Sequence, residues 1–200
     1  MLAEISPKQV MELRQRTGVG MMECKKALAE ANGDLDMAIE NLRKRGAAKA
    51  ASKADRAASE GLVEAYIHPG GRVGVLVEIN CETDFVARTD DFKALVKGIA
   101  MHVAAMGPLA VRREEISPDL VAHERKIYTE QVKAEGKPEA IVEKIVEGKM
   151  NKWFSEVVLL DQPYVKDDKK TVGGLVQEAV AKMGENIQVR RFSKFRLGQD

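Results

Sequence analysis

LVEAYIHPGGRVGVLVEINCETDFV, residues Leu62 to Val86, decides the fold. Two runs, Leu62 to Ile67 and Val73 to Asn80, flank Pro69-Gly70-Gly71, and β-branched or aromatic residues on either side of such a turn signal predict a hairpin. The second run is nearly all apolar, which predicts a central strand. Where it ends, Thr83-Asp84-Phe85-Val86 sets a carboxylate beside an aromatic ring, and Asp90 to Phe92 then open a helical pattern. The tetrapeptide is therefore a strand-to-helix connection, and binding residues concentrate in such connections. On these four residues alone two readings stand: Phe85 and Val86 pack on the core while Asp84 caps a turn, or the pair is offered to a partner.

Downstream, Phe92, Leu95, Val96, Ile99, Val103 and Met106 recur on one helical face, which suits covering the hairpin, and Gly107-Pro108 stops that helix. A helical hairpin follows at about 119–154. Its arms run from Asp119 to about Glu135 and from Pro138 to about Phe154, joined at Gly136-Lys137-Pro138, and their charge predicts a projecting, coiled-coil-like arm. A last helix begins after Thr171 and breaks at Gly184, and a strand from Ile187 to Leu197 can join the sheet. Ile187 and Val189 point one way in it, while Phe192 lies among Arg190, Lys194 and Arg196 on the other. Either that strand is bulged or its second face meets a partner.

Upstream, Ser6-Pro7-Lys8-Gln9 is a capping box with proline in the first turn, and Gly18 stops the helix it starts. A second helix runs from about Met21 to Ala31 and ends at Asn32-Gly33, and a third begins after Asp34 and ends at Gly46. Cys24, Ala27, Leu28 and Ala31 form the apolar stripe of the second; Leu35, Ala38, Ile39 and Leu42 form that of the third. Met21 falls on the stripe of its helix. Met22 lies off it with Lys25, Lys26 and Ala29, so an apolar side chain faces water there, a habit of adaptable protein-binding surfaces. Residues 47–60 are rich in Ala, Lys and Ser without a large apolar side chain, which makes a helical or flexible tether. The organisation expected is a three-helix domain over 1–46, a linker over 47–60 and a core domain over 61–200. The fold class is α+β, with an antiparallel sheet covered by helices.

The composition bounds what such a chain does. With 32 basic against 31 acidic residues the net charge is +1, so no bulk positive field favours a phosphate backbone, and direct nucleic-acid binding is not expected. No run approaches the roughly 20 apolar residues of a membrane span, and the first residues lack a signal pattern, so a soluble, cytoplasmic protein is expected. Cys24 and Cys81 sit in no metal-ligand spacing and read as reduced, buried thiols.

Catalysis needs an activated nucleophile, a matched acid and base, or a metal, and none stands at convincing spacing. His68, His102 and His123 belong to no His/Cys cluster; His102, near the apolar face of its helix, reads as a packed, hydrogen-bonded side chain. Gly70-Gly71 and Gly173-Gly174 lack the frames that place backbone amides and a lysine on phosphates. The expectation is a chain that holds no cofactor and binds no nucleotide by itself.

VMELRQRTGVGMMECKKALAEANGDLDMAIEN from Val10 to Asn41, together with INCETDFVAR and GENIQVRRF, resembles the elongation factor Ts family, in its short form with one sheet subdomain. The resemblance covers essentially the whole chain. It implies guanine nucleotide exchange on elongation factor Tu by a binding factor that is not an enzyme, with Asp84 and Phe85 inserted beside the GTPase's Mg²⁺ site and Thr83 and Val86 framing them. It also implies that the amino-terminal bundle, similar to ubiquitin-associated-type domains, docks on the GTPase through Arg14, Met21, Met22 and Lys25. The single sheet copy and the two-faced strand around Phe192 motivate a homodimer. Two rivals remain open: an RNA-associated module using Arg190, Arg191, Lys194 and Arg196, and a small hydrolase built on Cys81 or His68.

Overall fold

The computed structural model describes residues 5–199. Its first helix starts as the sequence dictates: the Ser6 hydroxyl accepts the Gln9 N–H at 3.3 Å while Gln9 Oε1 takes the Ser6 N–H at 3.0 Å. This helix, α1 (Pro7–Thr17), stops at Gly18, whose φ of 68° is left-handed and free of strain only for glycine. α2 (Met21–Glu30) ends before Asn32 and Gly33, both at positive φ, and Asp34 then caps α3 (Leu35–Ala51) by accepting the Met37 N–H at 2.9 Å. Leu13, Cys24, Ala27, Leu28, Ala38 and Leu42 close a small core between the three.

The expected stop at Gly46 does not occur. That residue lies buried inside α3, where a Cβ on it would sit 3.4 Å from the Ala181 side chain, and its backbone is not left-handed, so it does not terminate the helix. Alanines 47, 48, 50 and 51 then carry the helix on at little cost.

The remaining elements are β1 (Glu60–Ile67), β2 (Val73–Cys81), α4 (Asp84–Ala87), α5 (Asp90–Met106), α6 (Pro118–Ala134), α7 (Glu139–Val157), β3 (Pro163–Tyr164), β4 (Asp167–Thr171), α8 (Val172–Met183) and β5 (Gln188–Arg196). The chain divides into two compact units. One holds Met1–Leu62, Ile79–Leu95 and Val176–Gln188; the other holds Val63–Glu78, Val96–Leu175 and Val189–Asp200.

The three-stranded sheet has the order β1-β2-β5, which puts the apolar strand in the centre as its composition requires. Leu197 N–H donates to Arg72 O at 2.9 Å and Arg191 pairs with Glu78 at 2.7 Å; both pairs keep one register, so β5 runs antiparallel to β2. Val75, Val77 and Ile79 face the core, which leaves Gly74, Leu76 and Glu78 on the open face.

The same register assigns the faces of β5. Arg191, lying opposite Glu78, belongs to the open face, and so by alternation does Phe195, which is 70% exposed. Phe192 and Lys194 are half-buried on the other face, where Lys194 Nζ would lie 2.7 Å from a Cβ at Gly107, and burial lowers the ammonium's pKa. As alternation from Ile187 and Val189 predicts, Phe192 shares a face with Lys194; Val189, of the other parity, is buried as well, so β5 carries buried or half-buried side chains on both faces.

α5 buries Phe92, Leu95, Val96, Ile99 and Val103, but Met106 stays 47% exposed. It is the last residue of the helix, and no further turn extends the apolar stripe past it. In the arm, Val132, Val142, Val146, Met150 and Trp153 form a separate apolar seam between α6 and α7, and Arg125 pairs across it with Glu143 at 3.0 Å and Glu147 at 2.6 Å. β3 and β4 pair in a small ribbon that no periodicity announces.

His102 is fully buried and neutral by construction. Gln162 Nε2 donates to Glu156 O, so Gln162 Oε1 is the acceptor facing His102 Nε2–H at 2.8 Å; the bare Nδ1 then accepts the Val165 N–H at 3.2 Å.

Candidate functional site

At the end of β2 the chain must leave a buried strand and begin a helix within a few residues. Thr83 makes the transition. Its extended backbone and its hydroxyl, which accepts the Val86 N–H at 3.3 Å, cap α4, so threonine and not Asp84 performs the capping. One turn of helix then separates its side chains: Val86 and Ala87 go into the core, while Phe85 is thrown outward and is 80% exposed. Neither of the two readings left open by the sequence holds for the whole tetrapeptide. Val86 packs, and Phe85 does not.

Among the described residues Phe85 is the most exposed of the large apolar side chains. Asp84 stands beside it, paired with Arg88 at 2.8 Å, both side chains largely in solvent. An exposed pair of this kind is worth little energetically and is easily exchanged for another partner.

The turn is held from below by residues that sequence reasoning missed. Glu185 Oε2 accepts the N–H groups of Glu82 at 3.1 Å and Thr83 at 3.0 Å, and its Oε1 accepts the Thr83 hydroxyl at 2.6 Å. Glu82 answers in the other direction, its Oε1 taking the Asn186 N–H at 2.6 Å, and that bond holds its carboxyl below the usual carboxylate range. The signal was present in the Gly184-Glu185-Asn186 sequence after α8: two polar residues where a helix turns into a buried strand.

Cys81, immediately before, is buried and donates to Thr83 O at 3.2 Å; burial, with Glu185 as a second influence, pushes its thiol up to about 11. That is the opposite of what a nucleophilic thiol needs.

The four bundle residues singled out from sequence are all exposed. Met22 is 77% exposed, as its off-stripe position predicts. Met21, on the stripe, is nevertheless 48% exposed: as the first residue of α2 it has its side chain tilted back toward the N-terminus, where no preceding turn of α2 covers it. Met21 and Met22 lie four and three positions before Lys25, so the three share one helix face, and Arg14 sits one turn before the Gly18 stop. A Cβ at Gly18 would touch the Lys182 side chain at 3.8 Å, and Lys182 Nζ pairs with Asp91 at 2.7 Å just past the tetrapeptide. The last turn of α8 therefore meets both the end of α1 and the beginning of α5.

Of the basic residues on β5, Arg190, Arg191 and Arg196 are exposed, Arg191 pairing with Glu78, and Lys194 is half-buried. No cluster of three or more His, Cys, Asp or Glu is arranged to hold a metal ion among the described residues. No helix among them is long and apolar enough to cross a membrane.

An exposed aromatic ring on a pinned turn and an exposed methionine and lysine face thus lie on the same compact unit, an arrangement without the nucleophile or metal cluster of an active site among the described residues. The family model for elongation factor Ts matches residues 21–180. Curated relatives named elongation factor Ts match nearly end to end. One from Desulforamulus reducens is 58% identical over 198 residues, covering 99% of this chain and 91% of the relative. One from Anaeromyxobacter sp. strain Fw109-5 is 59% identical over 198 residues, covering 99% and 90%. One from Thermosipho melanesiensis is 57% identical over 195 residues, covering 98% of this chain and 100% of its own. The chain belongs to the elongation factor Ts family, the translation elongation factors of that name.

Proposed function

We propose that this chain is the guanine nucleotide exchange factor of elongation factor Tu, and that it acts as a binding factor rather than an enzyme. The observation that carries the reading is Phe85: a bulky apolar side chain, 80% exposed, on a turn fixed by Thr83 and Glu185, in a chain of this family.

On this reading the GDP-bound GTPase is gripped by the bundle through Arg14, Met21, Met22 and Lys25, while Asp84 and Phe85 enter beside its Mg²⁺ site with Thr83 and Val86 as frame. Mg²⁺ demands near-ideal octahedral geometry, so a wedge that shifts its ligands or the phosphate loop weakens metal and nucleotide together. Phe85 supplies the volume. Asp84 exchanges Arg88 for groups of the partner and supplies the charge. Coupling is reciprocal: whatever factor the wedge takes from GDP affinity, GDP takes from the affinity of the wedge, and GTP then refills the site.

A cytoplasmic homodimer belongs to the same proposal. Its support is the open face of the sheet, where Ile67, Leu76, Phe195 and Leu197 are exposed and Gly74 leaves a groove between them. The three-helix bundle is taken to be of the ubiquitin-associated type. Sedimentation equilibrium at micromolar concentration tests the dimer, and a monomer there removes it.

The deciding experiment is the release rate of fluorescent GDP from elongation factor Tu, with wild-type protein and with Asp84→Ala plus Phe85→Ala. Acceleration by the wild type, lost in the double variant while complex formation persists, is the expected result. No acceleration by the wild type overturns the reading.

A further inference from the structure

We propose that Glu185 is a positioning residue for the wedge, acting through Thr83 to hold Phe85 in the pose that exchange requires; this rests on the exchange reading above.

The geometry is a reciprocal clasp. Glu185 accepts three hydrogen bonds from two consecutive residues, the N–H groups of Glu82 and Thr83 and the Thr83 hydroxyl, at 3.1, 3.0 and 2.6 Å. Glu82 returns one by accepting the Asn186 N–H at 2.6 Å. Two adjacent residues on each side thus satisfy each other, much as a capping box does at a helix start. The Thr83 hydroxyl is spoken for in both directions: it donates to Glu185 and accepts the Val86 N–H at 3.3 Å. Glu185 therefore fixes the oxygen that fixes the first turn of α4, and Phe85 lies within that turn.

The same clasp holds a second segment. Asn186 is buried, 3% exposed, and its Nδ2 donates to Ala54 O at 3.2 Å and Arg56 O at 2.7 Å, while the Arg56 side chain lies 3.6 Å from Glu82. Lys53 Nζ donates to Gly184 O at 2.5 Å. Residues 53–56 directly follow the end of α3, so the chain leaving the docking bundle and the chain carrying the wedge are tied to one two-residue turn. A wedge on a loose loop spends binding energy on ordering itself; one held in place applies it to the partner. Removal of the clasp is therefore expected to reduce how well the bound factor expels GDP more than how tightly it binds.

The test measures GDP release from elongation factor Tu over a range of factor concentrations, and amide hydrogen exchange in the free factor, for wild type, Glu185→Ala and Glu185→Gln. For Glu185→Ala the maximal release rate is expected to fall about tenfold and the half-saturating concentration to change less than about twofold. Exchange at the Glu82 and Thr83 amides is expected to speed up about tenfold, the effect of roughly one net hydrogen bond. Glu185→Gln keeps the length and one acceptor oxygen, so it is expected to recover part of both. Circular dichroism confirms that each variant is folded, and the Gln variant carries the test if the Ala variant is not.

A wild-type maximal rate in Glu185→Ala, or a raised half-saturating concentration at an unchanged maximal rate, overturns the proposal. If wild type itself does not accelerate release, the exchange reading has failed, and the clasp is judged by the amides alone. Faster exchange at Glu82 and Thr83 sustains it as the support of this turn; unchanged exchange removes it.

Discussion

Phe85 and Phe92 stand seven positions apart, and the structure predicts opposite consequences for their loss. Phe92 has no exposed surface, so Phe92→Ala leaves a cavity in a packed core and is expected to cost about 3–5 kcal/mol of folding stability. Phe85 is 80% exposed, so only about a fifth of its area is removed from water in the free protein. Since full burial of such a side chain is worth about 1.5–3 kcal/mol, Phe85→Ala is expected to cost at most about 0.6 kcal/mol of stability. If the ring is a central anchor in the complex, its removal costs about 2 kcal/mol there, a loss of about 30-fold in whatever step uses it. Urea unfolding measures the first quantity for both variants; GDP release from elongation factor Tu measures the second for Phe85→Ala, which remains folded. A Phe85→Ala protein destabilised by 2 kcal/mol or more would show that the ring packs in solution. A stable variant with undiminished exchange would show that the exposed ring is not the wedge. Either result refutes the assignment, by separate routes.

Three further outcomes follow from local geometry. With its thiol near 11, Cys81 carries roughly one thiolate in a thousand at pH 8, so a thiol reagent should leave it unmodified in the native protein and label it in urea; fast native labelling contradicts its burial. Gly61 has φ 143°, and a Cβ there would lie far inside contact distance of the Ile79 carbonyl oxygen, so Gly61→Ala is expected to lower stability by about 3 kcal/mol or more, read by urea unfolding. His102 is held below its ordinary 6.5 by burial, so the unfolded chain binds its proton more readily. Its contribution is intact above pH 6.5 and is lost as pH falls below that value, and thermal unfolding between pH 8 and 5 should show the decline; His102→Gln should flatten it. Glu82, held below 4.5, adds its own loss only at lower pH.

Much of this architecture was legible because its signals are local. The Ser6 capping box, the left-handed stop at Gly18, the Pro69-Gly70-Gly71 turn and the apolar run of β2 each encode their structure in adjacent residues. What was not legible depends on neighbours distant in sequence. Gly46 looked like a helix stop because its place beside Ala181 is invisible locally, and which face of β5 stays open could not be read because the pairing that fixes its faces comes from β2. β3, two residues long, has no period to detect. At the candidate site the exposed residues could be named from sequence. Glu185 could not, because a carboxylate in a polar turn announces nothing until the chain brings it under Thr83, 102 positions away.

That division bears on how an exchange factor is built. A wedge must be exposed in the free protein, so its side chain contributes almost nothing to folding, and sequence patterns driven by burial leave it unmarked except as an apolar residue out of place. It must also be rigid, because ordering a loop on binding would consume the differential affinity through which one ligand expels another. On the proposed exchange reading these two demands fall on different residues: Phe85 takes the exposure, and Val86, Thr83 and Glu185 take the rigidity through one buried contact and a short chain of hydrogen bonds. On that reading GDP release depends on the ring and its pose together, so enlarging the ring without its support, or stiffening the turn without the ring, should each fail to improve exchange.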